Sequence, residues 1–317
     1  MRIGVFTTAL ADLPFEAMLA ELAELGVEAL ELGVGGYPGA HHCDAAALLA
    51  DQAAARRWRQ AVAERGLVVS ALSAHANPLH PNKAVATDAR AVLERALAAA
   101  ELLEVPVINA FSGCPGDGPD ATAPNWVTTP WPDEYAELLD WQWESCALPY
   151  WSAAAELAER HGVTIAIEPH PGFLVYNLRT LLRLREAAGP AIAANFDPSH
   201  LWWQRADPLA VVRALGEAGA LAHVHAKDTW LDAGVMRLHG VLDNTPRDRA
   251  HVAERAWSFR TVGFGQGEQA WRDLVGALVT AGYDGAISIE HEDPLLGARD
   301  GLAKAVALLR RIVPAGR

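Results

Sequence analysis

Cysteine is scarce in this 317-residue chain: Cys43, Cys114 and Cys146 are all there are. An odd number with no short spacing argues against a disulfide framework and against a cysteine-based structural zinc site. Nor do about 18 apolar residues ever run together, so nothing reads as a membrane span. The apolar stretch after Met1 and Arg2 soon meets Thr7, Thr8 and Asp12. That is too short and too polar for a secretory leader, and the expected location is the cytoplasm. Basic residues are in deficit as well, 26 Lys and Arg against 39 Asp and Glu, for a formal net charge of −13. Such a surface repels phosphate backbones and anionic lipid, which argues against nucleic acid or a membrane as partner. No glycine-rich phosphate loop follows the first apolar run, which disfavours an open doubly wound sheet.

What the chain does have is repetition. Short apolar runs ending in small or polar residues recur at 3–8, 29–36, 67–75, 105–113, 164–170, 191–200, 221–228 and 286–293, eight in all. Ala- and Leu-rich segments of helical period separate them, such as "FEAMLAELAELG" and "WSAAAELAERHG", several closing on glycine as a helix C-cap would. Strands alternating with helices imply parallel βαβ units, and eight units are what a closed (β/α)₈ TIM barrel needs. The expected organisation is therefore one α/β barrel domain over 1–317. Two connections, 114–132 after the fourth strand and 229–268 after the seventh, are too long for plain linkers and are expected to build or cover the site. "HHCD" at 41–44 reads as a polar loop leading into a helix.

In such a barrel the C-terminal strand ends converge, so residues with inward parity there are the candidates. In "TIAIEPH" the isoleucines face the helices and turn Glu168 inward; in "AIAANFDPSH" Asn195 and Asp197 face in. His223 and His225 share a face in "LAHVHAKD", with His225 nearer the tip, and Ser288 and Glu290 face in from "AISIEHED". Glu168, Asp197, His225 and Glu290 thus reach one level from four neighbouring strands. Three carboxylates at one rim repel unless a cation sits among them. Oxygen donors with one imidazole suit one divalent ion, Mn²⁺ or Mg²⁺ in preference, with Co²⁺ or Zn²⁺ compatible. His223, a layer deeper, reads as a core histidine.

The motifs "EPH", "FDPSH", "HVHAKD" and "SIEHED", in that order, resemble the xylose isomerase-like TIM-barrel superfamily, the sugar phosphate isomerases/epimerases. It also holds ketose 3-epimerases, inosose dehydratases, apurinic endonucleases and the large subunits of carbon-glycoside deglycosidases. The resemblance covers nearly the whole chain and implies Glu168, Asp197, His225 and Glu290 as metal ligands. It further implies a carbohydrate substrate whose carbonyl and adjacent hydroxyl bind the ion, so that the neighbouring C–H becomes acidic and an enediolate forms. Glu168 and Glu290 would exchange the proton from opposite sides, giving an isomerase or epimerase. The resemblance implies a substrate-binding or second-metal histidine at His200 and an arginine near the substrate at Arg260. A homo-oligomer or a small partner subunit is compatible with the resemblance.

His170 points to a second chemistry. It lies two residues beyond Glu168, directed the same way, and a Glu-x-His pair resembles members acting on 3-keto-glycosides, where deprotonation is followed by β-elimination. A loop role beside Pro171 is the competing reading. His75 and Asn77 in "SAHANPLHP" are candidates for sugar hydroxyls, as is Glu31. Lys227 would neutralise an enolate or pair with Asp228. Tyr176 and the tryptophans at 126, 131, 202 and 203 are candidates to stack on a sugar. An apurinic endonuclease is the remote alternative: His75, Glu168, Asp197, His200 and His225 match its pattern. Asn109, Phe111 and Ser112 stand where further zinc ligands would be needed, and Phe259–Arg260–Thr261 stands where a D-x-H would.

Overall fold

Each of the eight apolar runs holds a short strand, and the eight close into a parallel ring in the computed structural model, which describes residues 1–314. The strands are β1 (Arg2–Phe6), β2 (Ala29–Gly33), β3 (Val68–Ser73), β4 (Val107–Ala110), β5 (Thr164–Ile167), β6 (Ile192–Phe196) and β7 (Leu221–Ala226). Two strands outside the ring follow, β8 (Asp228–Leu231) and β9 (Trp257–Arg260), and β10 (Ala286–Ile289) then pairs with β7 and β1 to close it. This is a (β/α)₈ barrel with helices outside.

Alternation along each strand separates two kinds of interior. Ile165, Ile167, Ile192, Phe196, Ile287 and Ile289 belong to the large apolar layer between strands and helices. Inside the ring, Ala71, Val107 and Ala166 pack on one another, a plug of small residues suited to a narrow barrel. One step toward the C-terminal end, the same faces of β3, β4 and β5 carry Ser73, Asn109 and, just past the strand, Glu168. A register shift between Ala194 and Asn195 sets Asn195 opposite His223.

Helix ends follow local chemistry. Gly26 ends the helix Phe15–Leu25 in the left-handed conformation, φ 77°, and its N–H returns to the last turn. Asn177 and Thr180 form a reciprocal capping box at the start of Leu178–Ala188. "HHCD" does lead into a helix: Asp44 caps Ala45–Ala50, and Cys43 is buried.

The connection 114–132 has no regular element before the helix Asp133–Trp141. The longer one differs from a plain loop. β8 and β9 form an antiparallel pair, with the helix Ala233–His239 and the 3₁₀ turn Arg249–Glu254 between them. The excursion is pinned to the barrel by Asp228, whose carboxylate accepts from the backbone N–H groups of Gly263, Gly265 and Gln266 and from Trp271 Nε1. This explains "GFGQG": a Cβ on Gly265 would lie 2.5 Å from the Thr229 carbonyl. Among the described residues no helix is long and apolar enough to cross a membrane.

Candidate metal centre and the chambers above it

Glu31, on β2, anchors the lowest polar layer. Its buried carboxylate accepts from Ser73 Oγ (2.5 Å), Ser288 Oγ (2.6 Å), Asn109 Nδ2 (2.8 Å) and His225 Nε2 (2.9 Å). Burial alone would favour its neutral form, but His225 and His223 beside it drive the carboxyl far below the usual range. The expectation that Glu31 meets a substrate hydroxyl is therefore corrected. It lies under the site with its oxygens already occupied, and it orients His225. His223 is the core histidine expected, within hydrogen-bond reach of Ser70, Asn109 and Asn195.

With Nε2 committed to Glu31, His225 turns Nδ1 upward, 3.1 Å from Glu290 Oε2 and 3.4 Å from Glu168 Oε2. Its ring stacks on Phe6 at 5.8 Å. Burial opposes its charge, but Glu31, Glu290 and Glu168 together raise its pKa well above the ordinary histidine value. Glu168 accepts from His200 Nε2 (3.2 Å) through one oxygen and from His75 Nε2 (3.1 Å) through the other. Burial pushes it toward protonation, and His225, His200 and His75 overcome that and hold it well below the carboxylate range.

Glu168, Asp197, His225 and Glu290 each present one donor atom within 4.8 Å of the others. Asp197 shows what this pocket lacks. Its Oδ1 caps the helix Pro198–Trp203 by accepting from Ser199 N at 2.8 Å. Its Oδ2 is buried without a hydrogen-bond partner, and Lys227 Nζ, 3.0 Å away, does not meet it along a hydrogen-bonding direction. With Lys227 Nζ at 3.0 Å and His200 Nε2 at 3.3 Å this oxygen is ion-paired but not hydrogen-bonded, and beside three other donors it suits a cation.

Lys227 does not pair with Asp228, which the "GFGQG" backbone occupies. Its buried ammonium bonds Glu290 Oε2 at 2.7 Å and lies 4.8 Å above the centre of the Phe259 ring. Burial would lower its pKa, yet Asp197 and Glu290 hold it well above the ordinary value. Burial likewise opposes the charge on Glu290, but Lys227 and His225 bring it down to about 2.

His170 donates Nδ1–H to the Pro171 carbonyl at 2.6 Å, which leaves Nε2 with a free lone pair. Burial and the neighbouring His200, whose ring centre is 4.1 Å away, hold it well below the usual histidine pKa, so it is neutral. A chamber of about 420 Å³ lies over these groups, and its walls include Tyr37, His75, Glu168, His170, Lys227 and Glu290.

Three of the substrate-binding candidates do not line that chamber: His200, which borders the cavity beside it, Asn77 and Arg260. Asn77 is buried, and its amide ties loops together: Nδ2 donates to Cys114 O (3.0 Å), while Oδ1 accepts from Cys114 N (2.9 Å) and Leu79 N (3.1 Å). Arg260 is turned aside to Asp293, 3.4 Å away. The arginine on the chamber wall is Arg247, in the polar stretch "TPRDRA", where nothing periodic marks it. Trp257 and Phe259 were also missed, although two aromatics spaced by one residue are a strand-face signal. Of the aromatic candidates, Trp126 and Trp203 border a second cavity beside the chamber. Trp131 is exposed, and Trp202 packs on Trp271.

Comparison with known proteins agrees with this architecture. Residues 19–312 match the family model described as a xylose isomerase-like TIM barrel. An uncharacterised protein of Bacillus subtilis (strain 168), YfiH, is 36% identical over 316 residues, 99% of either chain. Among solved structures, the probable 3-DHS dehydratase AsbF of Bacillus anthracis is 17% identical with a TM-score of 0.67, over 98% of this chain and 99% of that one. A D-tagatose 3-epimerase-like protein is 19% identical with a TM-score of 0.65, over 98% and 97%. At those identities the structural likeness is one of fold.

Proposed function

The chain belongs to the xylose isomerase-like TIM-barrel family, and from that premise we propose that it is an isomerase or epimerase of a keto-sugar. It moves a proton on the carbon beside the carbonyl. Glu168, Asp197, His225 and Glu290 would hold one divalent ion, Mn²⁺ or Mg²⁺ in preference, with Co²⁺ or Zn²⁺ compatible. The observation that carries this reading is the convergence of Glu168, Asp197, His225 and Glu290, whose donor atoms lie within 4.8 Å of one another. A divalent ion bound there supplies Lewis acidity to the carbonyl and its neighbouring hydroxyl.

The protein's own groups do the rest. Glu31 fixes the His225 ring so that Nδ1 faces the site. Glu168 and Glu290, three strands apart around the ring and both ionised, are the proton carriers on the two sides of a ligand. Lys227, charged and dry, stabilises negative charge that develops on a substrate oxygen. His75 and His200 hold Glu168 and offer ring edges to hydroxyls.

Elimination from a 3-keto-glycoside is the second reading, and His170 favours it. A neutral imidazole with a free Nε2, set at the margin of the chamber, can move a proton separately from the two glutamates. The nuclease alternative has little support here, since Asn109 is spent on Glu31 and His223.

Incubating the Mn²⁺-loaded protein with ketoses and 3-keto-glycosides in D₂O separates these readings. Deuterium at one carbon of an intact sugar is the expected result. Release of an aglycone instead selects elimination. Absence of both, or exchange that survives thorough chelation, refutes the proposal.

A further inference from the structure

The chamber over the metal site has an annexe. A cavity of about 280 Å³ adjoins it, lined by Arg247, Arg255, Trp257, Phe259, Glu292 and Asp293 among others. Arg247 and Glu292 line the chamber as well, so the two spaces meet between these side chains. Lys227 lies against Phe259, beside Glu292, and bonds Glu290, which makes the step from metal site to annexe short enough for one sugar chain. Small-molecule sites run to about 300–1,000 Å³, so the annexe suits a substituent of a ligand seated in the chamber better than a separate ligand.

In a chain of formal net charge −13, two arginines without carboxylate partners line this small space. Arg255 is 3% exposed. Its Nε donates to the Trp257 carbonyl at 2.9 Å, Nη1 donates to the Thr245 carbonyl, and the guanidinium lies 4.7 Å from the centre of the Trp257 ring. Those partners fix the group without neutralising it, and Nη2 meets no acceptor among the described residues. Arg247 forms no ion pair among them either. Burial lowers the Arg255 pKa from the usual arginine value and Arg247 adds to that, against the pull of Asp243, so the two guanidinium groups repel. Asp243 itself is turned to backbone, accepting from Thr245 N and Ala256 N.

The carboxylates of the annexe do not make up the difference. Asp293 is engaged by Arg260, Thr261 N and Leu295 N. Glu292 stands 3.8 Å from Lys227, which Asp197 and Glu290 already hold. Even if Glu292 served one arginine, one positive charge would remain. Buried charges are paired, and a guanidinium edge matches the two coplanar oxygens of a carboxylate. A phosphate dianion would overfill the site beside Glu292.

We infer that the substrate is a sugar acid, with its ketone end in the chamber and its carboxylate in the annexe between Arg247 and Arg255. This rests on the keto-sugar reading for the chamber half only.

Calorimetric titration of the Mn²⁺-loaded full-length protein with four probes tests it: D-fructose, D-fructuronate, D-fructose 6-phosphate and methyl α-D-glucuronide. The first three share a ketone and differ in the terminal group; the fourth has the carboxylate and no free carbonyl. Fructuronate should bind at least about tenfold tighter than fructose, as expected for hydrogen bonds to a charged group, and tighter than the phosphate. Arg247→Gln, at an exposed position, should cut that preference about tenfold. Arg255→Lys keeps the charge but loses the fork, and should cut it about three- to tenfold.

Equal binding of fructose and fructuronate overturns the inference and leaves the keto-sugar reading intact. Tighter binding of the phosphate overturns it too. So does a fructuronate preference that both variants retain, since the metal and not the arginines would then hold the carboxylate. Binding of the glucuronide that Arg247→Gln weakens, with no ketose bound, upholds the annexe as a carboxylate site and refutes the keto-sugar. Binding of none of the four overturns both.

Discussion

Beneath the four converging side chains, Glu31 accepts from Ser73, Asn109, Ser288 and His225. In the roof, around the second cavity, the indole N–H groups of Trp126 and Trp203 meet no acceptor. The floor side chains are fully buried and Trp126 in the roof is half-buried, and the two layers treat polar groups in opposite ways. A layer whose hydrogen bonds close on themselves rigidifies what stands on it. One with open valences is incomplete until something binds. The floor has one exception, Asn109 Oδ1, which has no partner. The four converging residues lie between the two layers: Glu168 and Glu290 are bonded from the sides, and Asp197 Oδ2 has Lys227 and His200 beside it but no hydrogen bond.

The most severe disturbance should come at that boundary. Glu168→Gln keeps the shape but removes a carboxylate that His75 and His200 hold, and it should lower turnover by about 10³-fold or more, within the span seen when a positioned acid–base group is lost. Circular dichroism should show the fold intact, because the floor beneath is untouched. Loss of the folded signal in this variant would erase the distinction between a structural floor and a chemical layer.

Within the floor the effect should appear in stability. Glu31→Gln removes the nearest of the three carboxylates around the buried, charged His225 and unsettles the Ser73, Asn109 and Ser288 donors, at a cost of roughly 3 kcal/mol in urea unfolding. His223 sharpens the point through pH. Burial lowers its pKa from 6.5 to about 4, against the pull of Glu31. As the pH falls below 6.5 the unfolded chain takes up this proton and the folded one does not, so stability drops between pH 6.5 and 4. The metal-free protein should lose about 2 kcal/mol through this residue between pH 7 and pH 5, a loss that His223→Gln should lack.

The contrast also explains how much could be read from the sequence. Barrel strands alternate strictly, so inward parity in "TIAIEPH", "FDPSH", "HVHAKD" and "SIEHED" was enough to bring Glu168, Asp197, His225 and Glu290 to one level. The same parity placed Glu31 inward but not its depth. Depth depends on where β2 stands relative to β1 and β3, and a register shift between Leu30 and Glu31 intervenes. Asn77 carried the composition of a binding residue, but its partner Cys114 lies on another strand's loop, a long-range pairing no local pattern reveals. The roof was least legible. Arg247 and Trp257 reach the mouth only because β8 and β9 pair and Asp228 gathers the "GFGQG" backbone.

The smallest expected effect, and the most discriminating for the roof, sets its two arginines against each other. Arg247 is exposed on a polar stretch yet borders both chambers, so Arg247→Gln should raise KM about tenfold with little change in kcat. Its melting curve should move by less than about 0.5 kcal/mol, as for most surface substitutions. Arg260 faces Asp293, whose other oxygen accepts from Thr261 N at 2.9 Å, so Arg260→Gln disturbs a strap. It should cost about 1 kcal/mol of stability and leave KM within about twofold, since Asp293 keeps its backbone donors Thr261 N and Leu295 N when this nearly buried pair is broken. The reversed pattern, with KM answering to Arg260 and stability to Arg247, would mean that substrate enters from the Asp293 side and that the roof described here is not the one that closes over it.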